Sequence, residues 1–319
     1  AVAMAEVALV VTGASSGLGE GLARELVWEL AAGAGRLRVF LSARRLERLQ
    51  AVREQLLSVA VAACRLEVEV DAVDGSNAAA VEQYCAALRQ RFDAGNGGGR
   101  VTRVVALLAA GSHERASTKG AGGWRYSEEG DFSAAERQAA WQLNVATPLR
   151  FFACLSSWAA TAAAQAVDES TRDVRCTLAY LSSEAVEAKW WALGNSLYGP
   201  AKRAAEAGLL AELAKAARGP CRTRLALLRY PLVDTPMASA LYGQLLRVDA
   251  QCCGPRPTFA QLAPACGAGA ALVAGLANGL DGALPEGFSP CSPDEDGIGR
   301  CAFRYAPSDD GVPATAVTF

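Results

Sequence analysis

A glycine-rich segment near the start of the chain constrains the fold most strongly. Residues 7–12 form an apolar run rich in valine, which is typical of a parallel strand buried on both faces. Glycines follow at positions 13, 17 and 19, and a helical pattern then continues to about Ala32. Such a turn lets the backbone approach a pyrophosphate, which rests on the helix N-terminus. We therefore expect a dinucleotide contacted by Gly13, Ser15, Ser16, Gly17, Leu18 and Gly19.

The rest of the chain alternates between strand-like and helical patterns. Strands are predicted at 37–43, 64–70, 102–109, 174–181 and 222–229. Helices are predicted at 46–61, 76–92, 133–164, 198–217, 237–246 and 258–276. This alternation predicts an α/β fold, a Rossmann-type doubly wound parallel sheet with helices on both faces. We expect one domain over residues 1–285 and an irregular tail over the Pro-, Gly- and Asp-rich residues 286–319.

Composition narrows the possible functions. Of 319 residues, 51% are hydrophobic and the net charge is −2, so the chain can bury a large core but has no basic run that predicts a nucleic-acid partner. Residues 267–280 are too few and too glycine-rich to span a bilayer, and because the first strand comes so early we expect no signal peptide. Ten cysteines without a CxxC pair favour reduced thiols, and a single histidine argues against a zinc site. We expect a cytoplasmic protein without a metal or membrane partner.

A second segment carries groups suited to acid–base chemistry. Tyr198 and Lys202 are four residues apart, so they share one face of a helix. A lysine ammonium near a tyrosine hydroxyl favours the phenolate, which makes the phenol usable for proton transfer near neutral pH. Ser183, at the end of a predicted strand, is placed to bond the same substrate oxygen. Because this spacing also occurs by chance in helices, the rest of the chain must decide its meaning.

The end of the second strand indicates which dinucleotide is preferred. An NAD site usually carries an acidic residue here to hold the ribose hydroxyls, whereas an arginine suits a 2′-phosphate. This chain has Arg44 and Arg45 at that position. We predict that Arg44 binds the phosphate of NADP(H), while Arg45 is either a second ligand or a solvated residue at the start of a helix.

Taken together, these residues resemble the short-chain dehydrogenase/reductase family over roughly residues 6–285. The TGxxxGxG motif of the family begins at Thr12, and its four catalytic residues appear in order as Asn144, Ser183, Tyr198 and Lys202. The resemblance implies hydride transfer from NADPH to a carbonyl carbon. Tyr198 would donate the proton, Ser183 would bond the oxygen, Lys202 would hold the ribose, and Asn144 would position a water that resupplies the proton. Further cofactor contacts implied are Asp71, Ala110, Gly111, Val233 and Thr235.

Within the family, the chain is most similar to the sepiapterin reductases. The similarity lies in LSARR after the second strand, WQLN around Asn144 and PLVDTPM after the sixth strand. It implies reduction of a pterin side-chain carbonyl in tetrahydrobiopterin synthesis, and a homodimer or tetramer. The substrate would be flat, aromatic or pterin-like, and would contact Ser183, Trp190, Trp191, Tyr198, Met237 and Glu286.

The chain also departs from the family pattern. The family's NNAG reads Leu108-Ala109-Ala110-Gly111, and the spacing from Ser183 to Tyr198 is 15, about two residues longer than usual. Two alternatives therefore stay open. One is a broad-specificity carbonyl or diketone reductase of the same family, and the other is a non-catalytic NADP-binding protein. The intact Asn-Ser-Tyr-Lys set argues against the second, whereas the missing asparagines favour it.

Overall fold

The computed structural model describes residues 6–58, 64–94, 101–111, 133–166, 173–183, 186, 198–219, 221–231, 233, 235, 260–279, 284–285, 288–290 and 302–305. Eight strands in this part of the chain form one sheet: β1 (Glu6–Thr12), β2 (Arg36–Ala43), β3 (Arg65–Ala72), β4 (Val101–Leu108), β5 (Arg175–Ser183), β6 (Arg222–Tyr230), β7 (Phe288–Pro290) and β8 (Ala302–Tyr305). Their order is β3-β2-β1-β4-β5-β6-β8-β7, and only the β7–β8 pair is antiparallel. The predicted Rossmann-type sheet is confirmed.

Helices cover both faces of the sheet because side chains alternate along each strand. Leu9 and Val11 of β1 pack with α1 (Gly17–Ala31), α2 (Leu46–Ser58) and α7 (Leu262–Asn278). Ala8 and Val10, which point the other way, pack with α3 (Ala78–Asp93), α5 (Thr147–Ala164) and α6 (Tyr198–Ala216). The central strand is therefore buried on both faces, as its apolar run predicts. No helix in the described ranges has both the length and the apolar character needed to cross a membrane.

The stretch predicted as one long helix is divided into three parts. α4 (Ala134–Trp141) begins with a capping box at Ser133, and a π-helical turn, Gln142–Ala146, separates it from α5. Asn144 is the middle residue of that turn. Pro148, four residues later, has no N–H to donate to the Asn144 carbonyl, so the α-helical ladder cannot continue regularly there. The division shapes the site because π turns reorient the side chains they carry.

The prediction of an irregular C-terminal tail is wrong at two places. β7 and β8 join the edge of the sheet, and β8 pairs with β6. The rings of Phe288 and Tyr305 lie 5.7 and 5.6 Å from the ring of Tyr230, and 5.3 Å from each other. Buried aromatic contacts hold these short strands, whereas the composition averages them with Pro- and Gly-rich neighbours. The helix predicted at 237–246 lies outside the described residues.

Candidate active site

A cleft opens where the carboxyl ends of β1, β2, β4 and β5 meet. This is the edge at which ligands bind in open parallel sheets. Its walls come from the turn after β1, the ends of β2 to β5, the π turn, α5 and α6. The lining residues are Thr12, Gly13, Ser15, Ser16, Gly17, Leu18, Gly19, Ser42, Ala43, Arg44, Arg45, Val73, Gly75, Ala109, Ala110, Gly111, Leu143, Thr147, Phe151, Leu181, Ser182, Tyr198, Lys202 and Thr235.

The turn after β1 has a backbone that only glycine allows. Gly13 has φ 71°, and a Cβ there would lie 2.8 Å from the Ala110 backbone. Thr12 secures the same junction, because its Oγ1 accepts a hydrogen bond of 3.2 Å from the Ala110 N–H. Ser16 precedes α1 and makes no side-chain capping bond to it. Backbone donors at the start of α1 are therefore not capped by that side chain, which suits an anionic group.

Two arginines give the far end of the cleft a positive charge. Arg45 donates to Ser15 Oγ at 3.1 Å and to Ser16 Oγ at 2.8 Å, so it braces the glycine-rich turn. Arg44 is exposed and lines the cleft beside it. No aspartate or glutamate is among the described residues that line the cleft. The wall is thus positive where the sequence predicts a 2′-phosphate.

Asp71 does not reach the cleft, in contrast to the expectation. β3 continues to Ala72, so Asp71 lies inside the strand rather than after it. Its carboxylate accepts two hydrogen bonds from Arg91 of α3, at 2.6 and 2.9 Å. Val73 and Gly75 line the cleft in its place. β3 ends later than predicted, so Asp71 lies within the strand, and its role as a cofactor contact stays a prediction.

Tyr198 and Lys202 come together at the near end of the cleft. Tyr198 is the first residue of α6, and Lys202 follows one helical turn later. The Lys202 Nζ lies 5.5 Å from the Tyr198 ring centroid and donates to the Leu181 carbonyl at 2.8 Å. A Cβ at Gly111 would lie 3.2 Å from Asn144 Oδ1 and 3.4 Å from Lys202 Nζ. Tyr198, Lys202 and Asn144 are thus assembled around the end of β4.

Burial strongly affects the charge of Lys202. The side chain is almost fully buried, and this desolvation lowers the pKa of Lys202 to about 7, although the negative charge of Glu206 opposes the shift. Among the described residues, no carboxylate forms an ion pair with Lys202, which instead contacts a carbonyl oxygen and two tyrosine rings. A lysine of this kind changes its charge near neutral pH.

The serine pair ends β5 with its members facing opposite ways. Ser182 lines the cleft, and its Oγ is buried without a hydrogen-bond partner. Ser183, the predicted catalytic serine, is half-buried and is not among the lining residues. An unpaired buried hydroxyl is unusual in a native protein. Ser182 is consequently a functional candidate that the sequence analysis did not include.

Asn144 is fully buried in the π turn. Its Nδ2 donates to the Ala140 carbonyl at 3.0 Å, and its backbone carbonyl accepts from the Tyr180 hydroxyl at 3.1 Å. Thr147 donates to the Gly75 carbonyl at 2.6 Å, which ties this segment to the end of β3. Thr147 and Phe151, which line the cleft, were missed. Their spacing of three and seven from Asn144 is the helical signal that could have found them.

The other predicted residues have different outcomes. Ala110, Gly111, Leu18 and Thr235 line the cleft, and Thr235 lies beside the glycine-rich turn. Val233 is buried and forms a bridge with Ala260 instead of lining the cleft. Of the six substrate residues predicted from the resemblance, four lie outside the described residues: Trp190, Trp191, Met237 and Glu286.

Comparisons with known proteins find similarity at the level of the fold. No protein-family model matches the chain, and no curated protein sequence matches it significantly. Among solved structures, L-sorbose reductase from Gluconobacter frateurii, complexed with NADPH and L-sorbose, is similar with a TM-score of 0.58 and 18% identity over 85% of this chain and 90% of that one. An alcohol dehydrogenase from Thermococcus sibiricus, complexed with 5-hydroxy-NADP, has a TM-score of 0.57 and 19% identity over 84% and 90%.

The fold is that of the short-chain dehydrogenases and reductases. A metagenomic short-chain oxidoreductase in complex with NADP gives the same result, with a TM-score of 0.53 and 20% identity over 81% of this chain and 98% of that one. The coverage shows that the similarity extends over most of each molecule.

Proposed function

We propose that this protein is an NADPH-dependent carbonyl reductase of the short-chain dehydrogenase/reductase type. The observation that carries the proposal is the pairing of Tyr198 with Lys202 in the same cleft as the glycine-rich turn and Arg44. One end offers a proton donor beside a buried cation, and the other offers positive charge and backbone donors. Similar structures solved with NADP or NADPH support the choice of cofactor.

The residues of the cleft fit this cofactor. The close approach of Gly13 to Ala110 leaves backbone rather than side chains at the turn, and the start of α1 is suited to the pyrophosphate. Arg44 would hold the 2′-phosphate, and Lys202 would hold the nicotinamide ribose. When bound, NADPH supplies the hydride that the protein itself cannot provide.

The protein's own groups manage the proton and the developing charge. Tyr198 would donate its phenolic proton to the carbonyl oxygen as that oxygen gains negative charge. The cationic form of Lys202 would stabilise the phenolate that remains. A serine hydroxyl would donate a hydrogen bond to the same oxygen, where it acts most strongly in the transition state. In this way the two hydrogens added to the carbonyl come from NADPH and from Tyr198.

The experiment that tests the function measures binding and turnover separately. Binding of NADPH and NADH to the purified protein is followed by calorimetry, and oxidation of NADPH is followed with sepiapterin, diketones, aromatic ketones and L-sorbose. We expect preferential NADPH binding and turnover with at least one carbonyl class. Tight NADPH binding without turnover across the panel would favour the non-catalytic alternative, and no binding of either dinucleotide would overturn the proposal.

The identity of the serine donor is tested by two variants. The resemblance assigns the role to Ser183, whereas the unpaired hydroxyl in the cleft belongs to Ser182. We propose that Ser183 bonds the substrate oxygen and that Ser182 completes its hydrogen bonding with the bound cofactor or substrate. Ser183→Ala should then lower kcat by about tenfold or more, and Ser182→Ala should mainly raise KM. The reverse pattern would exchange the two roles.

We further propose a pterin as the substrate, by resemblance to the sepiapterin reductases. Trp190 and Trp191 would cover a flat ring, and Glu286 would pair with the guanidine-like edge of the pterin. Glu286→Ala should then raise the KM for sepiapterin and leave diketone reduction largely intact. Equal loss with both substrates would favour the broad-specificity alternative.

The resemblance also supports a homodimer or tetramer in the cytoplasm. Family members commonly pair through the helices that correspond to α5 and α6. Light scattering on the purified protein measures the oligomeric state directly, and a monomer at micromolar concentration would contradict the proposal.

A further inference from the structure

Tyr180 of β5 lies between Asn144 and Lys202. It is fully buried and lies two residues before Ser182, on the same side of the strand. Its hydroxyl and its ring each contact a different one of the residues that the resemblance assigns to catalysis. Tyr180 itself is not among the residues to which the resemblance assigns a role.

The hydroxyl of Tyr180 serves a carbonyl that has lost its regular partner. In an α-helix the carbonyl of residue 144 would accept the N–H of residue 148, but Pro148 has no N–H. The Tyr180 hydroxyl donates to that carbonyl at 3.1 Å, in the buried interior between β5 and the π turn. A buried hydrogen bond to a backbone carbonyl is stabilising, so this contact helps to hold the turn that carries Asn144.

The ring of Tyr180 serves the buried ammonium. The Lys202 Nζ lies 4.5 Å from the Tyr180 centroid, closer than the 5.5 Å to the Tyr198 centroid. A cation over an aromatic face is attracted by the ring quadrupole, and the attraction is strongest away from water. With the Leu181 carbonyl at 2.8 Å, the ring fixes where the ammonium lies.

We propose that Tyr180 is a positioning residue that fixes Asn144 and Lys202 relative to each other, the first through its hydroxyl and the second through its ring. The inference rests on the proposed function for what is positioned. The Tyr180 hydroxyl occupies one of the two lone pairs of the Asn144 carbonyl.

The groups around Lys202 allow the ring's effect to be isolated. The groups that face the Lys202 ammonium are Tyr198 and the charge of Glu206 on α6, and Tyr180 on β5. Arg229 of β6 is already paired with Glu206, and Asn144 is neutral. Removing only the Tyr180 ring therefore withdraws one stabilising contact from the ammonium, which should lower the pKa of Lys202.

The first test needs neither cofactor nor substrate. The chain contains four lysines, so ¹³Cε labelling gives few signals, and Lys202→Arg assigns the one of interest. In Tyr180→Phe the ring remains, and the pKa of Lys202 should stay at about 7. In Tyr180→Leu it should fall by roughly half a unit to one unit. An unchanged titration in folded Tyr180→Leu, checked by circular dichroism, would overturn the role of the ring.

The second test isolates the hydroxyl. Tyr180→Phe should lower kcat by about tenfold with NADPH affinity unchanged, because a buried hydrogen bond contributes roughly that factor. Pro148→Ala restores an N–H to position 148 and should recover part of the loss in the Tyr180→Phe background. A normal kcat in Tyr180→Phe, or no recovery in the double variant, would overturn the role of the hydroxyl. If the unmutated protein reduces no carbonyl, the proposed function is wrong. The titration of Lys202 still tests the ring contact in that case, because it needs no turnover.

Discussion

Two buried cations near the candidate active site are held in opposite ways. Arg229 of β6 forms hydrogen bonds of 3.0 and 2.6 Å with the Glu206 carboxylate, and both side chains are at least 95% buried. Lys202, one turn before Glu206 on α6, is equally buried but is held by the Leu181 carbonyl and two tyrosine rings. The first cation is paired with a carboxylate, whereas the second forms no ion pair among the described residues and has a pKa that burial lowers to about 7.

This difference indicates that the Glu206–Arg229 pair stabilises the fold, whereas Lys202 is suited to a role in the site. The Glu206–Arg229 pair joins α6 to β6, and as a matched pair it has no charge left to offer a ligand. Lys202 holds its proton weakly because of burial, and its pKa is lowered to about 7. A group with that property can respond to a bound ligand and to the ionisation of Tyr198, which is the behaviour expected at an active site.

The largest effect should come from breaking the matched pair. Glu206→Leu leaves Arg229 buried without its carboxylate, so the free energy of unfolding should fall by about 3–5 kcal/mol. The control is the double variant Glu206→Leu/Arg229→Met, in which no charge is stranded and much of the stability should return. Chemical denaturation measures both. If the double variant is as unstable as the single one, the loss of stability does not come from leaving Arg229 without its carboxylate.

The next effect concerns Lys202 and pH. The unfolded chain holds this proton up to a pKa near 10.4, whereas the folded protein releases it at about 7. Between these values the unfolded state binds more protons, so Lys202 makes stability rise with pH by up to about 1.4 kcal/mol per unit. Below pH 7 both states are protonated and this dependence ends.

Lys202→Met should remove that rise when the apo protein is denatured at a series of pH values from 6 to 10. Lys215→Met is the matched control, because Lys215 lies on the same helix but is exposed and paired with Glu212. The two variants having the same pH dependence would contradict the assigned state of Lys202.

A smaller effect tests Arg44, the exposed cation that lines the cleft. Arg44→Ala should weaken NADPH binding about 10- to 100-fold, since charge-assisted contacts to phosphate contribute roughly 1.5–3 kcal/mol. NADH, which lacks the 2′-phosphate, serves as the internal control and should bind with little change. Equal affinity of the unmutated protein for both dinucleotides would remove the basis of this assignment.

The smallest effect concerns Asp71, the carboxylate that is paired outside the cleft. Asp71→Asn weakens a half-buried ion pair with Arg91, so stability should fall by only about 1 kcal/mol or less. NADPH affinity should not change, because the carboxylate does not line the cleft. A clear loss of affinity, measured by calorimetry, would restore the cofactor role that the sequence suggested.

The features that could be predicted from the sequence are those formed by residues close together in the chain. The glycine-rich turn and the four-residue spacing of Tyr198 and Lys202 are consecutive patterns, and both lie in the cleft. The contacts of Tyr180 with Asn144 and Lys202 join positions far apart in sequence, as does the pair of Glu206 with Arg229. The observed strands end a residue or two away from the predicted ends. At β3 this difference places Asp71 inside the strand rather than after it.

The central claim is that Tyr198 donates a proton in a reaction driven by NADPH. The direct measurement is the single-turnover rate of carbonyl reduction by Tyr198→Phe, with NADPH affinity measured on the same sample. The phenyl ring keeps the packing and removes only the hydroxyl, so the rate should fall by about 10²–10⁴ while affinity stays nearly constant. A variant that reduces its substrate at a near-normal rate would contradict the account.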